Sequence, residues 1–146
     1  RDCDKQLPDP QAFNFKMTDI SAALARTKLK RLGENIGRRE RIAITFDNAF
    51  GSASFRIRSA DPQAVCFRYL ISTGGAVESF LRKAQKAGII CCRPIWRPLH
   101  HAIGGDCPRT ELLEKELVSV PIYPGMTGIE INRICRMLPS LSRNAG

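Results

Sequence analysis

Apolar positions recur at helical spacing along several stretches of the chain, and this recurrence sets most of the expected elements. Met17, Ile20, Ala23 and Leu24 share one helical face. Leu29, Leu32, Ile36, Ala43, Phe46 and Phe50 share another, turned from the first by a quarter-turn or more. The turn predicts two consecutive helices, about 18–31 and 34–50, with the break near Gly33. Thr18 is a suitable N-cap, and Asp19 places a negative charge in the first turn, where the helix dipole favours it. Over 76–87, Val77, Phe80, Leu81 and Ala84 follow the i, i+3, i+4, i+7 rule, with Gly88 at the C-terminal cap. A short helix over 109–117 carries Leu112, Leu113 and Leu117. Thr127-Gly128-Ile129-Glu130 reads as a capping box that opens a last helix. Its inner face is Ile131, Ile134, Cys135 and Leu138, and Pro139 is expected to stop it.

Period-two and continuous apolar runs predict the strands. Phe55 and Ile57 alternate with Arg56 and Arg58, as on a half-buried strand. Residues 65–71 (VCFRYLI) suit a central strand, after a turn at Ala60-Asp61-Pro62. Ile89-Ile90-Cys91-Cys92 reads as a third. Residues 1–12, with Pro8 and Pro10, are an irregular lead-in, and 93–108 is again irregular. The order α-α-β-β-α-β-α-α predicts a two-layer α+β domain: a small, about three-stranded, mainly antiparallel sheet covered by helices and preceded by a long broken helix. No internal repeat is visible.

Composition narrows the function classes. The 146 residues match one ordinary domain, large enough to hold a core without metals or disulfides. Apolar residues at 43% and charged residues at 25% exclude a disordered chain. No run approaches the roughly 20 apolar residues of a membrane-spanning helix. The start, Arg1-Asp2-Cys3-Asp4, lacks signal-peptide features and fits a piece trimmed from something longer. Six cysteines, at 3, 66, 91, 92, 107 and 135, lie scattered through apolar segments without a C-x-x-C pair. They read as reduced structural thiols of a cytoplasmic protein, with no metal site expected. Net charge is +9, and residues 16–41 hold eight basic residues against three acidic ones. That stretch is a solvated helix face or an anion-binding surface. No aromatics interleave it as on a nucleic-acid platform.

Three collinear segments resemble the DegT/DnrJ/StrS family of PLP-dependent sugar aminotransferases. FNFKMTDISAAL (13–24) with KLKRLGENIGRRERIA (28–43) is similar to the family's Asn-aromatic-Arg-Met-Thr-Asp stretch and following long helix. AQKAGIICCRPIWRPLHH (84–101) is similar to its Gly-Ile … Trp-Lys-Pro-hydrophobic-His loop. VSVPIYPGMTGIEINRICRML (118–138) resembles its terminal hydrophobic-Tyr-Pro segment and closing helix. The matches span 13–138, leaving 139–146 as a tail.

The resemblance implies the C-terminal small domain of a fold-type-I aminotransferase, without the N-terminal PLP-binding large domain. Such an enzyme aminates nucleotide-linked keto-sugars with nitrogen from glutamate or glutamine and works as a homodimer. None of the seven lysines, at 5, 16, 28, 30, 83, 86 and 115, sits in a setting like the family's Schiff-base lysine. No catalytic residue is therefore expected here, and the chain alone should not transaminate. By the resemblance, Asn14 contacts the PLP phosphate of the neighbouring subunit. Lys16 stands where the family has Arg, keeping the charge but losing the bidentate fork. His100, Trp96 and Arg97 fall on the sugar-nucleotide loop, where imidazole can bond a hydroxyl, indole can stack and guanidinium can pair with a diphosphate. The apolar face around Met17, Ile20 and Leu24 is expected against the absent large domain and dimer partner. The alternatives are a non-catalytic regulatory or partner-binding module and a basic nucleic-acid-binding domain.

Overall fold

The computed structural model describes residues 16–50, 56–57, 64–95 and 97–143. The chain divides into two compact units, one ending at Gly33 and the other beginning at Glu34.

In the first unit, helix α1 (Asp19–Lys30) starts as its sequence dictates. The Ser21 amide donates to Thr18 Oγ1 at 3.2 Å, with Asp19 in the first turn and Lys28 and Lys30 in the last. No residue of α1 is buried, and Met17, Ile20 and Leu24 are 65%, 77% and 62% exposed. The break comes at Arg31, whose amide turns back to the Leu29 and Lys28 carbonyls. Gly33, where the break was expected, lies inside α2 (Leu32–Phe50).

The second unit is a two-layer α+β structure. Strands β2 (Tyr69–Ser72) and β3 (Leu117–Val120) pair antiparallel over four residues, and the two-residue β1 (Arg56–Ile57) pairs antiparallel on the other edge of β2. The register sets Tyr69 opposite Val120 and Ile71 opposite Val118. By the alternation of a strand, these four share one face. All four are buried in a single core with Ile42, Ala43, Phe46 and Phe50 of α2. Val77, Phe80 and Ala84 of α3 (Val77–Lys86) and Ile131, Ile134 and Leu138 of α6 (Gly128–Arg143) complete it. The α3 and α6 sets keep the spacing that the apolar pattern predicts; in α2 only Ala43, Phe46 and Phe50 of the expected stripe are buried, joined by Ile42, while Leu29 and Leu32 of that stripe are exposed. Tyr69 is the aromatic pivot. Its ring meets Phe46 edge-on at 5.2 Å and stacks on Phe50 at 5.8 Å, while its hydroxyl donates to Asp47 Oδ1 at 2.9 Å.

Three expectations are corrected. The third strand is Leu117–Val120, not Ile89–Cys92. Cys92 alone of that run joins the sheet, exchanging both backbone bonds with Ser119 at 3.1 and 2.8 Å. The Cys91 amide instead turns back to the Ile89 carbonyl, and Pro94 supplies no donor, so pairing cannot spread. Residues 65–68 are bent rather than extended, because the Phe67 amide bonds the Val65 carbonyl. Pro139 does not end α6, which runs to Arg143. Proline removes one amide but its fixed φ suits a helix, and the fully buried Leu138 holds that turn in place. Phe55, Arg58 and the turn at 60–62 lie outside the described residues.

Helix ends follow the sequence closely. At Gly88, φ is +73°, its amide bonds the Gln85 carbonyl and the Ile89 amide bonds the Ala84 carbonyl. Only a residue without Cβ enters that left-handed position freely, which turns the chain from α3 toward the sheet. At α6, Thr127 Oγ1 accepts from the Glu130 amide at 3.3 Å, and Glu130 Oε2 accepts from the Thr127 amide at 2.7 Å. Those bonds, first from the Thr127 backbone and then from its hydroxyl and Tyr123, hold the Glu130 carboxyl below its ordinary range.

Two outcomes are expected. Phe80→Ala, at a fully buried site, should lower unfolding free energy by about 3–5 kcal/mol, read from the urea midpoint. Thr127→Ala should cost about 1 kcal/mol through the lost cap. Because Glu130 is depressed in the folded state, its contribution is full above its ordinary pKa and fades as pH falls through the lowered value. Glu130→Gln should therefore flatten the acid limb of the stability profile, and an unchanged limb would refute that link.

Candidate functional site

The irregular segment 93–107 is pinned where it begins. Cys92 anchors it to β3, and Arg68 Nη1 donates to the Pro94 carbonyl. Arg93 spans two helices: Nη2 pairs with Glu78 Oε1 on α3 at 2.5 Å, and Nη1 donates to the Glu114 carbonyl on α5 (Pro108–Glu116) at 3.1 Å. Pro98 is buried. The segment then forms one helical turn, α4 (His100–Ile103), ended by Gly104 at φ +79°.

On α4, both imidazoles converge on one carboxylate. His100 Nε2 lies 2.7 Å from Glu111 Oε1, and His101 Nε2 contacts the same oxygen. The two rings stand edge to face with centroids 4.4 Å apart. The His100 side chain is 11% exposed, while His101 and Glu111 are about one-third exposed. Hydrogen bonds from His101, then His100, hold the Glu111 carboxyl below its ordinary range. An ionised carboxylate only accepts, so each ring donates from Nε2; in the neutral imidazole Nδ1 is then the acceptor. Arg97 Nη2 donates to the His101 carbonyl at 2.9 Å, closing the same turn from outside.

Of the residues singled out from sequence, His100 and Arg97 are thus brought onto one loop. Lys16 is exposed and belongs to the first unit. Asn14 and Trp96 lie outside the described residues. Glu111 was missed, because its meeting with the histidines is a tertiary event with no local spacing to announce it. Its only signal is an acidic residue in the first turn of a helix opened by Pro108. Among the described residues, the six lysines are exposed except Lys83, which is half-buried.

A groove of about 320 Å³ lies between the turn after α3 and helix α6. Gly88, Ile89 and Ile90 form one wall, and Tyr123, Glu130 and Arg133 supply its polar groups. The Tyr123 hydroxyl donates to Glu130 Oε1 at 2.8 Å, which raises the phenol pKa.

Among the described cysteines, Cys92 and Cys107 are exposed and Cys66, Cys91 and Cys135 are half-buried. Burial, with the neighbouring Cys92 second, pushes the Cys91 thiol up to about 12. No helix among the described residues is long and apolar enough to cross a membrane. The basic stretch is partly committed within the fold. Arg38 Nη2 donates to the Met126 carbonyl at 3.2 Å, and Arg39 Nη1 donates to those of Ile122 at 2.7 Å and Phe67 at 3.1 Å.

Residues 2–139 match the DegT/DnrJ/EryC1/StrS aminotransferase family. The chain belongs to that family of aminotransferases. It is 23% identical to GDP-perosamine synthase of Caulobacter vibrioides, over 86% of this chain and 38% of the relative. The fold superimposes on the aminotransferase TlmJ of Streptoalloteichus hindustanus with a TM-score of 0.78 at 18% identity, over 88% of this chain and 37% of that one. It also superimposes on the PLP-form of the sugar aminotransferase Spr1654 of Streptococcus pneumoniae, with a TM-score of 0.76 at 18% identity, over 90% of this chain and 37% of that one. The chain thus spans a little over a third of the length of these relatives.

The Arg39 contacts carry an expected outcome. Arg39→Ala leaves the two loop carbonyls without their charged donor and should destabilise the fold by about 1–3 kcal/mol. Arg41→Ala, on an exposed position of the same helix, should stay within about 0.5 kcal/mol of the parent in the same denaturation series.

Proposed function

We propose that this chain serves as the C-terminal domain of a PLP-dependent aminotransferase that aminates nucleotide-linked keto-sugars in cytoplasmic amino-sugar biosynthesis, taking nitrogen from glutamate or glutamine. The observation that carries this reading is the family match across residues 2–139. In this reading the cofactor's lysine and phosphate cup belong to a large domain outside these residues. PLP, when bound there, supplies the electron sink for amino transfer. The domain here binds and orients. The Asn14 amide donates to the PLP phosphate of the neighbouring subunit in a homodimer. Arg97 pairs with substrate phosphate, Trp96 stacks, and Lys16 offers a point charge to the substrate's anionic part.

His100 takes a defined role in that reading. Glu111 engages its Nε2, so the ring presents Nδ1 to substrate as an acceptor for a sugar hydroxyl. A rotating imidazole would lose that orientation, and the carboxylate is what prevents rotation.

The test is made on the complete gene product, purified and assayed with nucleotide-linked keto-sugars and each amino donor. Transfer should be detected, and Asn14→Ala should weaken PLP retention by about 1–3 kcal/mol while circular dichroism stays unchanged. His100→Ala should raise KM for the sugar nucleotide more than it lowers kcat. A product that neither holds PLP nor aminates any such sugar would overturn the assignment.

A further inference from the structure

The geometry points to a divalent transition-metal site formed by His100, His101 and Glu111, a two-imidazole, one-carboxylate set suited to zinc. Their ligand atoms all lie within 4.8 Å of one another. They come from two elements, α4 and α5, so one ion would join them. Neighbours on a helix point about 100° apart, and adjacent imidazoles ordinarily diverge. Here both Nε2 atoms instead address one oxygen. That convergence on a common point is what an ion requires.

Zinc holds imidazole nitrogen and carboxylate oxygen at about 2.0–2.2 Å, which sets tetrahedral ligand spacings of about 3.4 Å. The 2.7 Å contact between His100 and Glu111 is shorter than that. Glu111 must therefore withdraw by under about 1 Å, which a flexible, one-third exposed side chain on the first turn of α5 can do. The proton each ring carries on Nε2 moves through solvent to its own Nδ1, so neutral imidazoles become ligands without net proton release. Neither Nδ1 has a hydrogen-bond partner among the described residues. With three protein ligands the fourth position stays open to water or an anion. Arg97, bonded to the His101 carbonyl beside the site, adds positive charge that favours an anion there. Imidazole donors favour zinc, cobalt, nickel and copper over magnesium or calcium, which take all-oxygen sets.

The site is tested on the full 146-residue chain by titration with Zn²⁺ against a chromophoric competitor, and with Co²⁺ as a spectroscopic probe. One equivalent should bind, with excess Mg²⁺ failing to displace it. Glu111→Gln and His101→Ala should each weaken binding by at least about tenfold. Glu111→Gln preserves size and an acceptor, so it keeps the comparison meaningful if His101→Ala melts early. The Co²⁺ complex should lack thiolate charge-transfer bands. Binding that survives both variants, a thiolate signature from the cysteines, or no binding at all would each overturn the site. The titration involves no sugar, cofactor or amino donor, so its outcome is independent of the aminotransferase assignment; with zinc bound, His100 Nδ1 carries the proton and would meet a sugar hydroxyl as a donor rather than as the acceptor of the metal-free loop.

Discussion

Everything in the second unit depends on covering one small sheet face. Tyr69, Ile71, Val118 and Val120 cannot bury one another, because two paired four-residue strands leave that whole face open. Helices α2, α3 and α6 supply the cover, each with an apolar stripe of three or four buried residues. The fully buried Phe46 and Phe80 come from two different helices, so loss of either opens space that the sheet cannot fill by itself. The hydrogen bonds at the margins, from Arg38 and Arg39 to loop carbonyls, then fix α2 against the segments after β3 and before β2. They are specific in direction, while the core is specific in shape.

The candidate site depends on that core at one remove. Cys92 bonds Ser119, and Ser119 lies on β3 beside Val118 and Val120. The loop leaving Cys92 therefore starts from a fixed point, and Arg68 and Arg93 hold its first residues against Pro94, Glu78 and Glu114. Three guanidinium-to-carbonyl or carboxylate contacts do for this irregular segment what a ladder does for a strand. The high arginine content thus serves loop anchoring, and not only an outward-facing charge.

Legibility from sequence tracked the locality of each signal. The stripes of α3 and α6, the Thr18 cap, the Gly88 exit and the Thr127–Glu130 box rest on spacings within a few residues, and all were readable; of the α2 stripe only the Ala43–Phe50 end was, since Leu29 and Leu32 are exposed and Ile42 is buried instead. The strands were less so. Ile89-Ile90-Cys91-Cys92 has a strand's composition, but Leu117–Val120 is the run that pairs with β2. VSVPIYPG hid its strand because Pro121 follows it immediately. Pro139 misled because proline's penalty is local, while the burial of Leu138 is tertiary. The loop histidine was legible only through resemblance, and Glu111 not at all.

The His100–His101 pair shows why such a site escapes pattern reading. Adjacent residues on a one-turn helix gain no mutual contact from their spacing, so nothing in HH itself specifies a partner. The partner comes from the next helix, and its position follows from how that helix begins. Gly104 and Gly105, at φ +79° and +138°, reverse the chain after α4. Pro108 then opens α5 with a preset φ, and Glu111 falls in the first turn, where the helix dipole already favours its negative charge. Two glycines, one proline and one acidic residue, none of them a ligand candidate by motif, thus determine that two neighbouring imidazoles face the same oxygen.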